Sequence, residues 1–316
     1  MKLVFCGTPR FAVPTLQAVH AAGHEIALVV TQPDRPVGRK QIVEPTPVKQ
    51  AALALGLPVT QPEKIRNNVE FRARLEVIAP DAIAVVAYGR IIPPWMLALP
   101  RFGCINLHGS LLPKYRGAAP IQWAVARGET VTGNTTMLLE EGLDTGPMLL
   151  QQEVAIGPKQ TAVDLFEILA AQGAPLMVET LDGLADGSLR PRPQDHARAT
   201  LAPLLTREDG QMDFAAHTAT ELYNRWRGFQ PWPGAFAFLD GRKLAFTRLL
   251  VAPPPHPNDL PALQPGQLHL ASGCLFLGCA QSTVLEVREL QPEGKRSMTA
   301  AEFLRGTQLV PGSRLG

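Results

Sequence analysis

The sequence predicts an α/β chain in two parts, a doubly wound, mostly parallel sheet followed by a smaller β-barrel. Three observations carry this. Apolar strand-like runs alternate with helix-period stretches from residue 2 to about residue 187, the order that builds βαβ units. The texture then changes at the proline-rich, basic stretch 189–198, LRPRPQDHAR, which has neither a helical nor a strand period. Beyond it the apolar residues fall into short runs separated by Gly and Pro, as in small barrels. These changes set the expected boundaries: a first domain over 1–189, a linker over 190–205 and a second domain over 206–316.

Lys2 to Cys6 is a short apolar run that stops on Gly7-Thr8-Pro9. A helical pattern follows from Phe11 to about Ala22, closed by Gly23, and the next strand is Glu25 to Thr31. The first turn reads GTPRFA with a single glycine, so the G-x-G-x-x-G mechanics of dinucleotide binding are absent. Residues 32–47 form a long proline-rich polar loop with a basic edge of Arg35, Arg39, Lys40 and Lys49. A helix from about Val48 to Leu55, a short strand at Val59 and a helix from Val69 to Ile78 come next. Asp81 to Tyr88 is continuously apolar, as a central parallel strand should be. Gly89-Arg90 turns the chain, and Pro93-Pro94 opens a short helix through Leu99.

The stretch from Cys104 to Trp123 reads as a buried strand that ends on polar residues, a rigid turn and a helix start at Pro120. Thr135–Leu139 is strand-like and runs into EEGLDTGP, where Asp144 sits between Gly142 and Gly146 with nothing apolar nearby to bury it. Met148 to Ile156 is a further strand, and Thr161 starts a helix reaching about Gly187. In the second part, Glu221 to Trp226 lies in a short amphipathic helix. Strands are expected at Ala235–Leu239, Lys243–Val251, Cys274–Leu277 and Thr283–Leu290, in a barrel of OB-like size.

Bulk properties narrow the function. The chain is 316 residues, 46% apolar and 18% charged, with a net charge of +2. Both parts are close to neutral, so any polyanion site is a local patch and not a domain-wide field. Cys6, Cys104, Cys274 and Cys279 form no C-x-x-C pair, which points to reduced thiols, no metal site and a cytoplasmic setting. No apolar run approaches the ~18 residues of a membrane span. The expected state is a soluble monomer.

The chemistry centres on the strand end. Period-two alternation sends Asn106 and His108 to one face, where an amide can donate to an oxyanion and an imidazole can act as acid or base. Capping of the strand is the competing reading. The rigid loop Ser110-Leu111-Leu112-Pro113 beside them suits a flat, mostly apolar ligand. Asp144 is either a turn residue bonding its own backbone or a partner for this pair.

Asn106-x-His108 followed by SLLPKYRG, with Leu143-Asp144-Thr145-Gly146 further on, resembles the formyltetrahydrofolate-dependent formyltransferases. FCGTPRFA at 5–12, QPDRPVGR at 32–39, VVAYGRIIP at 85–93, GAAPIQ at 117–122, FQPWPGA at 229–235 and PGSRL at 311–315 narrow the match to the methionyl-tRNA branch of that family. The resemblance implies a Rossmann-like catalytic domain, an OB-like domain that assists tRNA binding, and 10-formyltetrahydrofolate as formyl donor. It implies initiator methionyl-tRNA as acceptor. It assigns Asn106, His108 and Asp144 as the catalytic trio, and Ser110, Leu111, Leu112, Pro113, Tyr88 and Gly89 as folate contacts. The loop around Arg35 and Arg39 matches the family's tRNA-contacting insertion, and its basic charge leads to an expected tRNA footprint of Arg35, Arg39 and Lys40, helped by the linker arginines Arg190, Arg192 and Arg198. Two places depart from the family pattern. The insertion turns apolar and acidic at Ile42-Val43-Glu44, and Leu201-Ala202-Pro203-Leu204 stands where a tyrosine and a lysine are expected.

The acceptor amine supplies its own nucleophile, so no activated Ser or Cys is required. Asn106 donates to the oxyanion, and His108 shares that role or moves the proton. Asp144 orients His108 or relays protons through water. A formyltransferase acting on a sugar nucleotide or another small amine, a formylfolate hydrolase and a non-catalytic folate- or RNA-binding protein remain as alternatives.

Overall fold

The computed structural model describes residues 1–38, 41–252, 260–271, 273–307, 309 and 312–316. The chain divides into two compact units that interleave along the sequence. One comprises Met1–Pro120, Val131–Ala155 and Asp164–Pro203. The other comprises Ile121–Thr130, Ile156–Val163 and Leu204–Gly316.

The first unit is built on a seven-stranded sheet. Its strands are β1 (Lys2–Gly7), β2 (Glu25–Val30), β5 (Val59–Thr60), β6 (Ala82–Val86), β7 (Cys104–His108), β8 (Val131–Leu138) and β9 (Met148–Ala155). The order is β5-β2-β1-β6-β7-β8-β9. Strands β5 through β7 are parallel, and β8 and β9 add an antiparallel edge. All five residues of β6 are buried, and β1 is buried after its first residue. This is why their sequences read as unbroken apolar runs rather than as alternation. Because the strand order reverses direction at β1, the crevice at the carboxyl ends of β1, β6 and β7 is where such a sheet accepts a ligand.

The helices α1 (Val13–Ala21), α2 (Pro47–Ala54), α3 (Val69–Ile78), α4 (Pro94–Leu97) and α6 (Ala162–Ala185) lie close to their expected positions. Thr46 and Asn68 cap α2 and α3 by accepting the Lys49 and Phe71 N–H groups. The loop 32–47 departs from a plain loop. It folds as a hairpin, β3 (Arg35–Val37) with β4 (Ile42–Glu44). The Ile42, Val43 and Glu44 side chains are all exposed. Two three-residue strands, one of them with a proline, have no period to detect. The segment 190–203, expected as linker, lies in the first unit. Arg192 pairs with Met148, and Leu201 lies in a bridge with Arg116.

The second unit is a curled antiparallel half-barrel, the small barrel expected. Its strands are β10 (Phe236–Leu239), β11 (Arg242–Val251), β12 (Leu268–Ala271), β13 (Cys274–Gly278), β14 (Val284–Pro292) and β15 (Met298–Thr299). The order is β10-β11-β14-β13-β12, with β15 on β14. Register shifts in β11 between Phe246 and Leu249 bend the strand, as bulges do. Phe246, Leu249, Leu275, Leu277, Leu285 and Leu290 form its core. Helix α7 (Ala219–Gly228) starts with a Thr218–Glu221 capping box. A Cβ on its last residue, Gly228, would sit 2.6 Å from Ala126 N, so glycine is what lets α7 meet α5 (Pro120–Ala126). Phe229 packs edge-on to Trp123 and Trp226 donates to Phe246 O, while Trp232 is exposed. Helix α8 (Ala300–Arg305), β12 and β15 were not anticipated from the sequence, being short and flanked by irregular chain.

Candidate active site

Strand β7 delivers Asn106 and His108 to the crevice, and β8 holds it in register, with His108 opposite Thr135 and Asn106 opposite Met137. The His108 ring is buried. Its Nε2 lies 2.9 Å from the main-chain oxygen of Tyr115. A carbonyl only accepts, so Nε2 carries a proton and donates it there. Nδ1 is left facing Asp144, at 3.7 Å from Oδ2.

The Asp144 carboxylate is not on an open loop, as its polar neighbours suggested: its side chain is only 13% exposed. The loop around it is tightly closed. A Cβ on Gly146 would meet Leu138 O at 2.0 Å, and one on Gly142 would meet the Thr145 hydroxyl at 2.2 Å. The two glycines therefore let the loop fold flat, and Asp144 itself adopts the left-handed region at φ 50°. Its Oδ2 accepts the Gly117 N–H at 2.8 Å. Oδ1 has no hydrogen-bond partner among the described residues, and neither does the half-buried Asn106 amide. The site thus presents an open acceptor and an open donor beside a fixed imidazole.

The loop after β7 is pinned from below. Thr135 Oγ1 donates to Ser110 O at 2.6 Å and accepts the Leu112 N–H at 3.1 Å. Gln151 Nε2 donates to Leu112 O and Ser110 Oγ donates to Lys114 O. Ser110 and Leu112 are buried, so their side chains shape the loop. Leu111 and Pro113 are half-buried and keep surface for a ligand. The Tyr88 ring lies in the core with Val4, Cys6 and Ile83. Its hydroxyl is buried without a hydrogen-bond partner, and burial pushes its pKa well above the usual phenol value. Any ligand contact at Tyr88 is therefore confined to main chain. Gly89 (φ 79°) turns the strand end, and Tyr88 O accepts from Thr8 Oγ1 and Gln32 Nε2.

Of the expected tRNA contacts, Arg35 is exposed on β3, 3.4 Å from an equally exposed Glu63. Such a surface pair is worth little and leaves the guanidinium available. Arg39 and Lys40 lie outside the described residues. Arg190, Arg192 and Arg198 are all exposed.

Sequence reasoning missed Arg116 and Gln194. Arg116 donates to Gln194 Oε1 from Nε at 3.1 Å and from Nη2 at 2.7 Å. Gln194 Nε2 donates to the main-chain oxygens of Asp144 and Gly146 at 2.8 and 2.7 Å. No spacing marks Gln194. Its only signal is the paired prolines before it, which hold the segment extended. Among the described residues no cluster of three or more His, Cys, Asp and Glu side chains could hold a metal.

Residues 1–181 match the family model described as formyl transferase, and 204–308 match its C-terminal domain model. The chain belongs to the formyl transferase family. Its full-length relatives include the methionyl-tRNA formyltransferase of Acidobacterium capsulatum, 64% identical over 316 residues with all of both chains covered. The enzyme of the same name from Koribacter versatilis is 55% identical, covering all of this chain and 99% of the relative. Among solved structures, a sugar 3N-formyl transferase crystallised with dTDP and 5-N-formyl-THF aligns at a TM-score of 0.65. It is 16% identical and covers 94% of this chain and 99% of its own. HypX from Aquifex aeolicus in complex with tetrahydrofolic acid aligns at 0.62 and 15% identity, over 98% of this chain and 49% of that one. At these identities the two structures show that this formyl transferase shares their fold. Gln194 falls between the two family-model matches.

Proposed function

We propose that this formyl transferase moves the formyl group of 10-formyltetrahydrofolate to the α-amino group of methionyl initiator tRNA. It acts as a cytoplasmic monomer, the first unit carrying the chemistry and the second assisting tRNA binding. The observation that carries the reaction is the meeting of Asp144 and His108 beside the unpartnered Asn106 amide. The full-length identity to methionyl-tRNA formyltransferases supports the acceptor.

The neutral amine attacks the formyl carbon and the carbonyl oxygen becomes an oxyanion. Asn106 donates to that oxygen, a role typically worth ~3 kcal/mol. Collapse breaks the bond from carbon to the folate N10, which leaves as an amine and needs a proton. The attacking amine loses one, so protons balance if a group carries one from the first nitrogen to the second. His108 does this through Nδ1, because Nε2 is committed to Tyr115 O. When Nδ1 is charged, the Asp144 carboxylate faces it. Leu111 and Pro113 offer the apolar wall for the folate ring, and Arg35, Arg39 and Lys40 contact tRNA phosphates.

The test is incubation with 10-formyltetrahydrofolate and methionyl-tRNA, followed by hydrolysis of the ester and chromatography of the amino acid. Formylmethionine is expected. Formate release without an acceptor, or transfer only to a free amino sugar nucleotide, overturns the reading.

A further inference from the structure

Between Arg190 and Arg198 a single side chain, Gln194, is buried, amid exposed arginines and prolines. A primary amide placed in a nearly dry position must have its groups satisfied, and the partners it has chosen are informative. Its Nε2 reaches two carbonyls of the loop that carries Asp144, and its Oε1 is gripped by both Arg116 nitrogens. Arg116 sits between Tyr115, whose carbonyl fixes His108 Nε2, and Gly117, whose N–H fixes Asp144 Oδ2. The bonds therefore close a ring. It runs from Arg116 through Gln194 and Asp144 to Gly117, and His108 hangs from it through Tyr115 O.

We propose that Gln194 is a positioning residue for formyl transfer, setting the separation of Asp144 and His108 by tying the Asp144 loop to Arg116. This rests on the catalytic reading above. Gln194 touches neither reacting atom. Its amide suits the task because one end donates to carbonyls while the other accepts from a guanidinium. Neither a carboxylate nor an ammonium does both. Thr200 braces the same ring from the same segment, its Oγ1 accepting the Tyr115 N–H and its carbonyl the Arg116 N–H. The segment read as a linker is thus a clamp on the site.

Gln194→Glu keeps an acceptor for Arg116 but turns oxygen toward the Asp144 and Gly146 carbonyls, whereas Gln194→Ala removes both ends. Formylation by purified full-length variants is measured with donor and methionyl-tRNA each varied, alongside thermal melting. Misplacement near reacting groups costs up to about 10²-fold, so both variants should lose about ten- to a hundredfold in kcat. KM for donor and tRNA should stay within about twofold. A double-mutant cycle separates positioning from general damage. In an Asp144→Asn background, Gln194→Ala should cost less than about twofold further, since the carboxylate it positions is already gone. Wild-type kcat in the folded Gln194→Glu protein, or a full multiplicative loss in the double variant, overturns the proposal. A wild-type chain that forms no formylmethionine overturns the catalytic reading itself, which is a different result.

Discussion

Replacing Asp144 by Asn removes one charge and little else. The amide oxygen can still accept the Gly117 N–H that Oδ2 accepts at 2.8 Å, so the loop keeps its shape. What is lost is the attraction for a His108 ring protonated at Nδ1, 3.7 Å away. Two unit charges at that separation attract by about 4–5 kcal/mol at an effective dielectric of ~20. With each 1.4 kcal/mol worth about tenfold, kcat should fall by about three orders of magnitude. The charge pair exists only while His108 carries the transferred proton, so the loss belongs in kcat and not in donor binding. Both groups are largely buried, so salt between about 0.05 and 0.5 M should barely change the ratio of wild type to variant. Single-turnover formylation of methionyl-tRNA, with calorimetric titration of the donor, measures both quantities. A kcat within tenfold of wild type, or a loss confined to donor affinity, refutes the assignment of Asp144 to His108.

Other expectations rest on separate observations. Gly117 has φ 125°, and a Cβ there would lie 2.5 Å from Ala202 O. Gly117→Ala should therefore strain the backbone by about 1–3 kcal/mol and shift the N–H that holds Asp144, lowering both the melting temperature and kcat; unchanged values in both refute the fit. Neutralising Arg39 and Lys40 together should weaken tRNA binding and reduce the salt slope of log K by nearly two, at roughly 0.7–0.9 per phosphate contact, with donor KM unchanged. An unchanged slope in filter binding removes the loop from the interface. Burial pushes the thiols of Cys104 and Cys279 up to about 12, and that of Cys6 well above the usual range. Since thiolate is the reactive form, brief iodoacetamide treatment at pH 8 should modify only the half-exposed Cys274 in the native protein and all four after denaturation. Mass spectrometry decides, and early labelling of Cys104 contradicts the packing of β7.

How far the sequence carried the reading depended on the kind of signal. Strands β1 and β6 were legible because full burial on both sheet faces demands unbroken apolar runs. Helix α3 was legible to the residue because Asn68 caps it and the chain leaves it in the left-handed region at Ala79. Period-two alternation put Asn106 and His108 on one face of a strand end, and the family resemblance supplied their expected role. Asp144 could be suspected from its glycines, but its burial could not, since an aperiodic polar loop carries no burial signal. The β3–β4 hairpin and Gln194 were illegible for a shared reason. Each is made by hydrogen bonds between segments distant from any apolar period, and an aperiodic stretch reads the same whether it is solvated or clamped.

The division of labour within the site follows from what the substrates lack. An aminoacyl amine is nucleophilic once neutral, and a formyl group is unhindered, so catalysis needs no covalent intermediate. It needs proton movement and a place for negative charge. That chemistry demands that one imidazole nitrogen be committed and the other free, or the ring would turn and lose its direction. Tyr115 O commits Nε2, and Thr200 holds that stretch by accepting the Tyr115 and Arg116 N–H groups. Asn106 and His108, to which the proposal gives the chemistry, come from a strand end, whereas the groups that hold His108 and Asp144 in place are largely main chain in loops. Substitutions that move backbone, such as Gly117→Ala, should therefore damage turnover as severely as many substitutions of side chains in the site.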